Sequence, residues 1–294
     1  MTARSETILC PICDTEDRTV LHEDDGWSMT KCGGCGLVYQ NPRLTMDHLR
    51  EVDYDGVTQE RESFFGRDLD RTGLEDWLSQ PLAAYEAGVA AVDAQRDPEA
   101  PRGVWLDVGA STGALLVAAK NAGYEPTGVE LGSGQVRVCR EVHGFDVRHA
   151  TLGEAAFPDA HADVISYRHV LEHVHDVRGD LAEAKRVLKP DGHLLIEVPN
   201  YGGVRYSLGR LRKTIGLTKE FWQRLNVPEH IYYFTIDSLR QLLALEGFEV
   251  IWWGTYGKTR RKTSWLQRTR MQIRDGMRIG NKLRVVARPT APSR

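Results

Sequence analysis

Leu106-Asp107-Val108-Gly109-Ala110-Ser111-Thr112-Gly113-Ala114-Leu115-Leu116 decides how the rest of this 294-residue chain is read. A short apolar strand from Gly103 to Val108 runs into a turn with glycines at 109 and 113. The turn opens into a helical run that ends at Gly123. In open α/β sheets, a glycine-rich turn at the carboxyl end of a strand is where ligands bind. A dinucleotide fingerprint needs G-x-G-x-x-G, which this turn does not supply. The stretch Gly109-Ala110-Ser111-Thr112-Gly113 does spell G-x-S-x-G, the pattern of a nucleophile elbow. A serine hydrolase using Ser111 is therefore one alternative. It is weakened because the turn follows the first strand of the α/β segment, and no glycine-rich oxyanion loop precedes it.

Outward from the turn, strands and helices alternate. Strands are expected near 103–108, 127–130, 145–149, 162–167, 193–198, 248–253 and 283–287. Helices are expected near 113–122, 136–143, 181–188 and 238–246, the last entered through Thr235 as N-cap and ended by Gly247. This order predicts an α/β fold: a Rossmann-like, doubly wound, mostly parallel seven-stranded sheet. The last two strands lack a crossover pattern and are expected to pair as an antiparallel edge.

Several ordered motifs share one resemblance. Asp107 stands two positions before the turn, and Glu130 ends the second strand in Thr127-Gly128-Val129-Glu130-Leu131. The fourth strand leads into Tyr167-Arg168-His169-Val170-Leu171-Glu172-His173, and Leu188-Lys189-Pro190-Asp191-Gly192 precedes the fifth. Over residues 101–290 this resembles the class I S-adenosylmethionine-dependent methyltransferases. The resemblance implies S-adenosylmethionine as cofactor, held around Asp107, Gly109, Ala110, Ser111, Gly113, Glu130, Leu131, Thr151, Leu152 and Arg168. Glu130 would take the ribose hydroxyls, a task suited to a carboxylate with two acceptor oxygens. The turn departs from the family in having Ala110-Ser111 where many members carry further glycine.

Two histidine motifs stand on the expected substrate side: His169-x-x-Glu172-His173-x-His175, and Pro228-Glu229-His230. Residues 169, 172 and 173 are expected to share a helical face. His169, Glu172, His173 and His230 are the catalytic candidates. In one reading His169 or His230 is a general base for an acceptor hydroxyl. In the other, the four residues hold a second divalent metal that polarises that hydroxyl. The second resembles the E-x-x-E-H arrangement of small-RNA 2'-O-methyltransferases and quinone-biosynthesis O-methyltransferases, with His169 in place of the first Glu.

At the front of the chain Cys10-Pro11-Ile12-Cys13 is followed by Cys32-Gly33-Gly34-Cys35. Paired C-x-x-C turns at this separation suit a structural, four-thiolate Zn²⁺ site. The expected domains are a zinc ribbon over 1–42, a helical lid over 43–100 and a methyltransferase domain over 101–294 with a basic insertion near 258–281. Ribbon, lid and core in this order resemble bacterial sugar and secondary-metabolite methyltransferases.

That implies O-methylation of a hydroxyl on a saccharide or glycosylated metabolite, with sugar C-methylation and RNA ribose 2'-O-methylation as alternatives. Tyr54, Phe64, Phe65, Tyr85, Tyr201, Tyr206, Trp222, Tyr232 and Tyr233 could line a cleft. Arg205, Arg210, Arg212 and Lys213 could hold a phosphate. Twelve of the 38 Lys and Arg lie in 258–294 against one acid, leaving −14 over residues 1–257. Nucleic acid is thus a minor alternative to a small-molecule partner. No apolar run is long enough for a membrane span, and the polar N-terminus lacks a signal segment. The expected compartment is the cytoplasm, and the oligomeric state is not readable.

Overall fold

Hydrophobic runs of five to eight residues, broken by glycine turns, condense into a seven-stranded mixed sheet. The computed structural model describes residues 5–24, 26–46, 82–204, 206–207, 230–257 and 280–290. Residues 47–81 of the expected lid over 43–100, residues 258–279 of the basic insertion, and Tyr54, Phe64, Phe65, Arg205, Arg210, Arg212, Lys213 and Trp222 lie outside the described residues.

In chain order the described elements begin with five short strands. These are β1 (Ser5–Glu6), β2 (Arg18–Asp24), β3 (Trp27–Cys32), β4 (Val38–Gln40) and β5 (Arg43–Leu44). Next come α1 (Ala83–Asp93), β6 (Val104–Val108), α2 (Ala114–Asn121), β7 (Glu125–Glu130), α3 (Ser133–Arg137), β8 (Asp146–His149) and β9 (Ala162–Arg168). The chain continues through α4 (Val177–Val187), β10 (Leu188–Pro199), β11 (Tyr232–Tyr233), α5 (Ile236–Leu245), β12 (Phe248–Tyr256) and β13 (Lys282–Pro289). The large sheet has the order β12-β13-β10-β9-β6-β7-β8. β6 lies parallel to β7 and β9, β7 lies parallel to β8, and β12 pairs antiparallel with β13 as expected.

The chain divides into two compact units. One comprises Met46–Tyr167 and Glu183–Leu195. Its core is built on Trp105, Leu106, Leu116, Val164, Ile165 and Leu194, all fully buried. Each such side chain contributes roughly 1.5–3 kcal/mol by leaving water. Ala110, Leu116, Val136, Cys139, Phe145 and Val147 pack as one cluster beneath the glycine turn.

The other unit comprises Met1–Thr45, Arg168–Ala182 and Ile196–Arg294. It holds a four-stranded sheet of order β11-β4-β3-β2. Its fourth strand comes from far along the chain: Tyr232 pairs with Tyr39, and Tyr233 with Val38. In this unit α5 starts with a capping box in which Thr235 and Ser238 bond reciprocally.

The helical stretch expected over 136–143 is present, as an α-helical turn over Ser133–Arg137 that passes into a π-helical stretch at Val138–Val142. Two local expectations are corrected. α4 begins at Val177 rather than 181, because Asp176 caps it, its carboxylate accepting the Gly179 N–H at 2.9 Å. Residues 169, 172 and 173 do not share a helical face. Only Leu171–His173 forms a helical turn, of 3-10 type, and His169 takes a left-handed φ of 58° just before it.

Candidate functional site

The turn after β6 carries three left-handed positions: Gly109 (φ 72°), Ser111 (φ 50°) and Gly113 (φ 87°). Glycine takes this conformation at little cost. Ser111 is held in it by neighbours. Its N–H donates to Glu130 Oε2 at 2.7 Å, and its carbonyl accepts the Cys139 thiol at 3.2 Å. Glu130 Oε1 accepts the Gly132 N–H at 2.8 Å. The acid at the end of β7 is therefore gripped through both oxygens by backbone donors. Gly109 and Ala110 both donate to the Val129 carbonyl, at 2.9 and 3.0 Å. A Cβ on Gly128 would lie 2.8 Å from the Asp107 carbonyl oxygen, so the close approach of β7 to β6 requires glycine there.

The remaining candidates of this unit lie on β6 and after β7 and β8. Asp107 is buried, and its Oδ1 accepts the Ser166 hydroxyl at 2.6 Å, while Ser166 accepts the Trp105 indole N–H at 2.8 Å. The Leu131 carbonyl bonds the His149 ring at 2.7 Å. Thr151 closes a small turn, its N–H and hydroxyl both donating to Glu154 Oε2. Leu152 is fully buried. A backbone that turns sharply at two glycines, with a carboxylate beside it at the next strand end, is a cradle that fits the adenosyl and methionine parts of S-adenosylmethionine.

In the other unit, Glu172, His173 and His230 come together. Each offers a ligating atom within 4.8 Å of the others. The chain brings them close by backbone pairing: the Ile231 N–H donates to the Glu172 carbonyl at 2.9 Å. The His173 and His230 rings meet edge to face at 4.7 Å. Glu172 has no exposed surface, and its Oε2 has no hydrogen-bond partner among the described residues. Burial pushes its carboxyl up to about 7. Burial, with His173 and His169 adding to it, pushes His230 down to about 3, so its ring is neutral near pH 7.

His169 is not part of this trio. Its Nε2 meets the Lys282 ammonium at 2.6 Å, and its Nδ1 lies 3.4 Å from Glu172 Oε1. Arg168 bonds Glu197 Oε2 at 2.9 Å. Arg284 bonds the other oxygen of Glu197, and the Tyr256 hydroxyl bonds Oε2 at 2.6 Å. His175, the last histidine of the motif, has its Nε2 on the Leu44 carbonyl at 2.9 Å, and its own carbonyl accepts Arg43 at 2.5 Å. Its contacts are structural. Glu197 and Lys282 escaped the sequence reading, although a lone charged residue inside Leu194-Leu195-Ile196-Glu197-Val198 is a visible signal.

The four N-terminal cysteines also converge. All four Sγ atoms lie within 4.8 Å of one another, and Cys10 and Cys35 are 3.5 Å apart, too far for a disulfide. In each C-x-x-C turn, backbone N–H groups point at the first sulfur: those of Ile12 and Cys13 at Cys10, and those of Gly34 and Cys35 at Cys32. Such donors stabilise thiolates. A tetrahedral ion with ~2.3 Å metal–sulfur bonds spaces its sulfurs by about 3.8 Å, and the donor set fits it.

Comparison with known proteins agrees with the fold. Residues 83–252 match the methyltransferase domain family, and the chain belongs to that family. A demethylmenaquinone methyltransferase of Tropheryma whipplei is 30% identical over 162 residues, which is 50% of this chain and 67% of that protein. A ubiquinone biosynthesis O-methyltransferase of Marinobacter nauticus is 27% identical over 158 residues, 48% of this chain and 66% of that one. A solved structure of 1,6-didemethyltoxoflavin-N1-methyltransferase from Burkholderia thailandensis has a TM-score of 0.54 at 16% identity. It covers 94% of this chain and 100% of that one, and the likeness bears on the fold alone. The chain is thus an S-adenosylmethionine-dependent methyltransferase of class I. Ser111 lies within the residues that match the methyltransferase family, and no described comparison supports the hydrolase alternative. No described helix is long and apolar enough to cross a membrane.

Proposed function

We propose that the protein transfers a methyl group from S-adenosylmethionine to a hydroxyl of a small polyhydroxylated acceptor, a saccharide or glycosylated metabolite first. The observation that carries this is the Glu172, His173 and His230 trio with its unpartnered, buried Glu172 oxygen. S-Adenosylmethionine supplies an electrophilic methyl when bound. The task left to the chain is to orient a hydroxyl and relieve it of its proton. Two imidazoles and a carboxyl group are a donor set for a divalent ion such as zinc or iron. An ion held by Glu172, His173 and His230 would act as a Lewis acid toward the acceptor oxygen. Between the two sequence readings, the structure favours this one over a base at His169, whose Nε2 lone pair is already taken by Lys282.

The cofactor would be held by the backbone of residues 109–113, with Glu130 on the ribose. The four cysteines would hold a structural zinc, and the ribbon and lid would cover the acceptor. A second acceptor class, a phenolic ring of quinone type, is favoured by the relative named for O-methylation in ubiquinone biosynthesis.

Calorimetric titration with S-adenosylmethionine, alongside metal analysis of the purified protein, tests the proposal. Micromolar binding and one tightly held zinc are expected, with a second metal equivalent that Glu172→Gln or His230→Ala removes. Failure to bind S-adenosylmethionine would refute the cofactor reading. Full turnover in both variants would refute the trio.

A further inference from the structure

Gln40 ends β4 with no exposed surface, and neither its amide nitrogen nor its amide oxygen has a hydrogen-bond partner among the described residues. Folded proteins pair such groups, because a buried carboxamide stripped of water is costly. The side chain paired with Gln40 across the sheet offers no partner in kind. Met29 stands opposite Gln40 across the β3–β4 pair. Directly opposed residues share a sheet face, as do alternate residues of one strand. Gln40 therefore shares its face with Met29 and Val38, which pack with Tyr201 and Tyr233, with Tyr206 laid against them. The Tyr201 ring is 5.6 Å from Tyr206 and 5.7 Å from Tyr233. A single carboxamide thus sits unbonded on an aromatic-rich face.

That face adjoins the histidine trio. The Gln40 N–H donates to the Ile231 carbonyl at 2.8 Å, and the Ile231 N–H donates to the Glu172 carbonyl at 2.9 Å. Gln40 is two backbone hydrogen bonds from Glu172 and one ladder step from His230. The Tyr233 ring is 6.3 Å from that of His230.

We propose that Gln40 is an acceptor-binding residue. Its carboxamide would grip one hydroxyl of a ring bearing vicinal hydroxyls while the neighbouring hydroxyl lies at Glu172, His173 and His230. The chemistry matches: a carboxamide offers a donor pair and an acceptor side by side, and a hydroxyl both donates and accepts. Tyrosine rings suit the faces of a sugar or a catechol. The inference rests on the methyltransferase reading of the trio and adds the diol and the residue that reads it.

The test compares the wild type with Gln40→Leu, an apolar side chain of similar size. Two probes represent the two diol sources: methyl β-D-glucopyranoside and 3,4-dihydroxybenzoate. Glutamine is labelled with ¹⁵N, and the Gln40 carboxamide signal is assigned by its loss in the variant. With S-adenosylhomocysteine present, one probe is expected to shift that signal and to bind at least tenfold more weakly to Gln40→Leu. Cofactor affinity and zinc content should not change. The melting temperature of the variant should equal or exceed that of the wild type, because an unpaired amide has been removed.

A lower melting temperature would mean that Gln40 is a structural residue satisfied by water, and would overturn the inference. Neither probe moving the signal would overturn it too, while retained S-adenosylmethionine binding would leave the methyltransferase reading standing.

Discussion

His169 and Lys282 meet at 2.6 Å, imidazole Nε2 to ammonium Nζ. An ammonium has only protons to give, so Nε2 must carry the lone pair and the proton sits on Nδ1, toward Glu172. Burial, then Lys282 and Arg168, push His169 down to about 3. His169 is a neutral, fixed ring that props Glu172.

Long-range ¹⁵N–¹H spectra at pH 7 should therefore show His169 as the Nδ1–H tautomer. In Lys282→Met the ring should sample both tautomers. Turnover should fall in that variant while cofactor affinity holds. A mixed tautomer in the wild type would contradict the arrangement.

Glu197 lies inside strand β10, yet Arg168, Arg284 and Tyr256 all reach it. Burial alone would raise its carboxyl, but the two guanidinium groups and the phenol outweigh burial and hold it below its ordinary value of 4.5. Glu197→Gln keeps the shape and strands two arginines, which should cost about 3–5 kcal/mol at pH 7. The sign with pH follows from the depressed carboxyl. Its stabilisation is fully present above pH 4.5 and is lost as pH falls through the lower folded value. Urea unfolding of both proteins should show the gap between them closing below pH 4.5. A gap that stayed constant down to pH 3 would rule out an ionised Glu197.

Much of the sheet was legible because β6, β9 and β10 are apolar runs and the glycines at 109, 113, 123 and 247 punctuate them. The antiparallel edge and the Thr235 cap were readable for the same reason: local sequence decides them. Pairings between distant segments were not. Nothing in Tyr232-Tyr233 announces a fourth strand for the N-terminal sheet, since a two-residue strand has no period. The trio was half legible. Glu172, His173 and His230 were singled out, but the left-handed His169 was expected on their helical face. A positive φ at a non-glycine residue is imposed by tertiary contacts, here the His169 N–H donating to the Glu197 carbonyl at 2.8 Å. The unbonded Gln40 amide has no sequence signature at all.

The Glu130 carboxylate joins the end of β7 to the turn at Ser111 and also accepts the Gly132 N–H. If it also takes the ribose hydroxyls, Glu130→Ala removes two charge-assisted bonds of ~1.5–3 kcal/mol each. Some of that loss would be masked by water and by rearrangement of the freed turn. S-Adenosylmethionine affinity should fall roughly 10- to 100-fold, since each 1.4 kcal/mol is a factor of ten. Calorimetry reads the change directly. Unaltered affinity would mean that the cofactor lies elsewhere.

The cysteine site and the trio are linked by chain and sheet. Cys32 and Cys35 feed into β4, β4 pairs with β11, and β11 follows His230 after one residue. A structural ion at the cysteines would therefore hold His230 in place without touching it. Cys13→Ser leaves three thiolates and should lower zinc content below one per chain. Hydrogen exchange at Tyr232 and Tyr233 should then quicken, and turnover should drop further than cofactor affinity, because the glycine turn and Glu130 do not depend on this sheet. Zinc added back to protein stripped with a chelator should restore both exchange protection and turnover. If stripped protein kept slow exchange at Tyr232, the four thiols would not be what anchors β11, and the Tyr39–Tyr232 pairing would stand on its own packing.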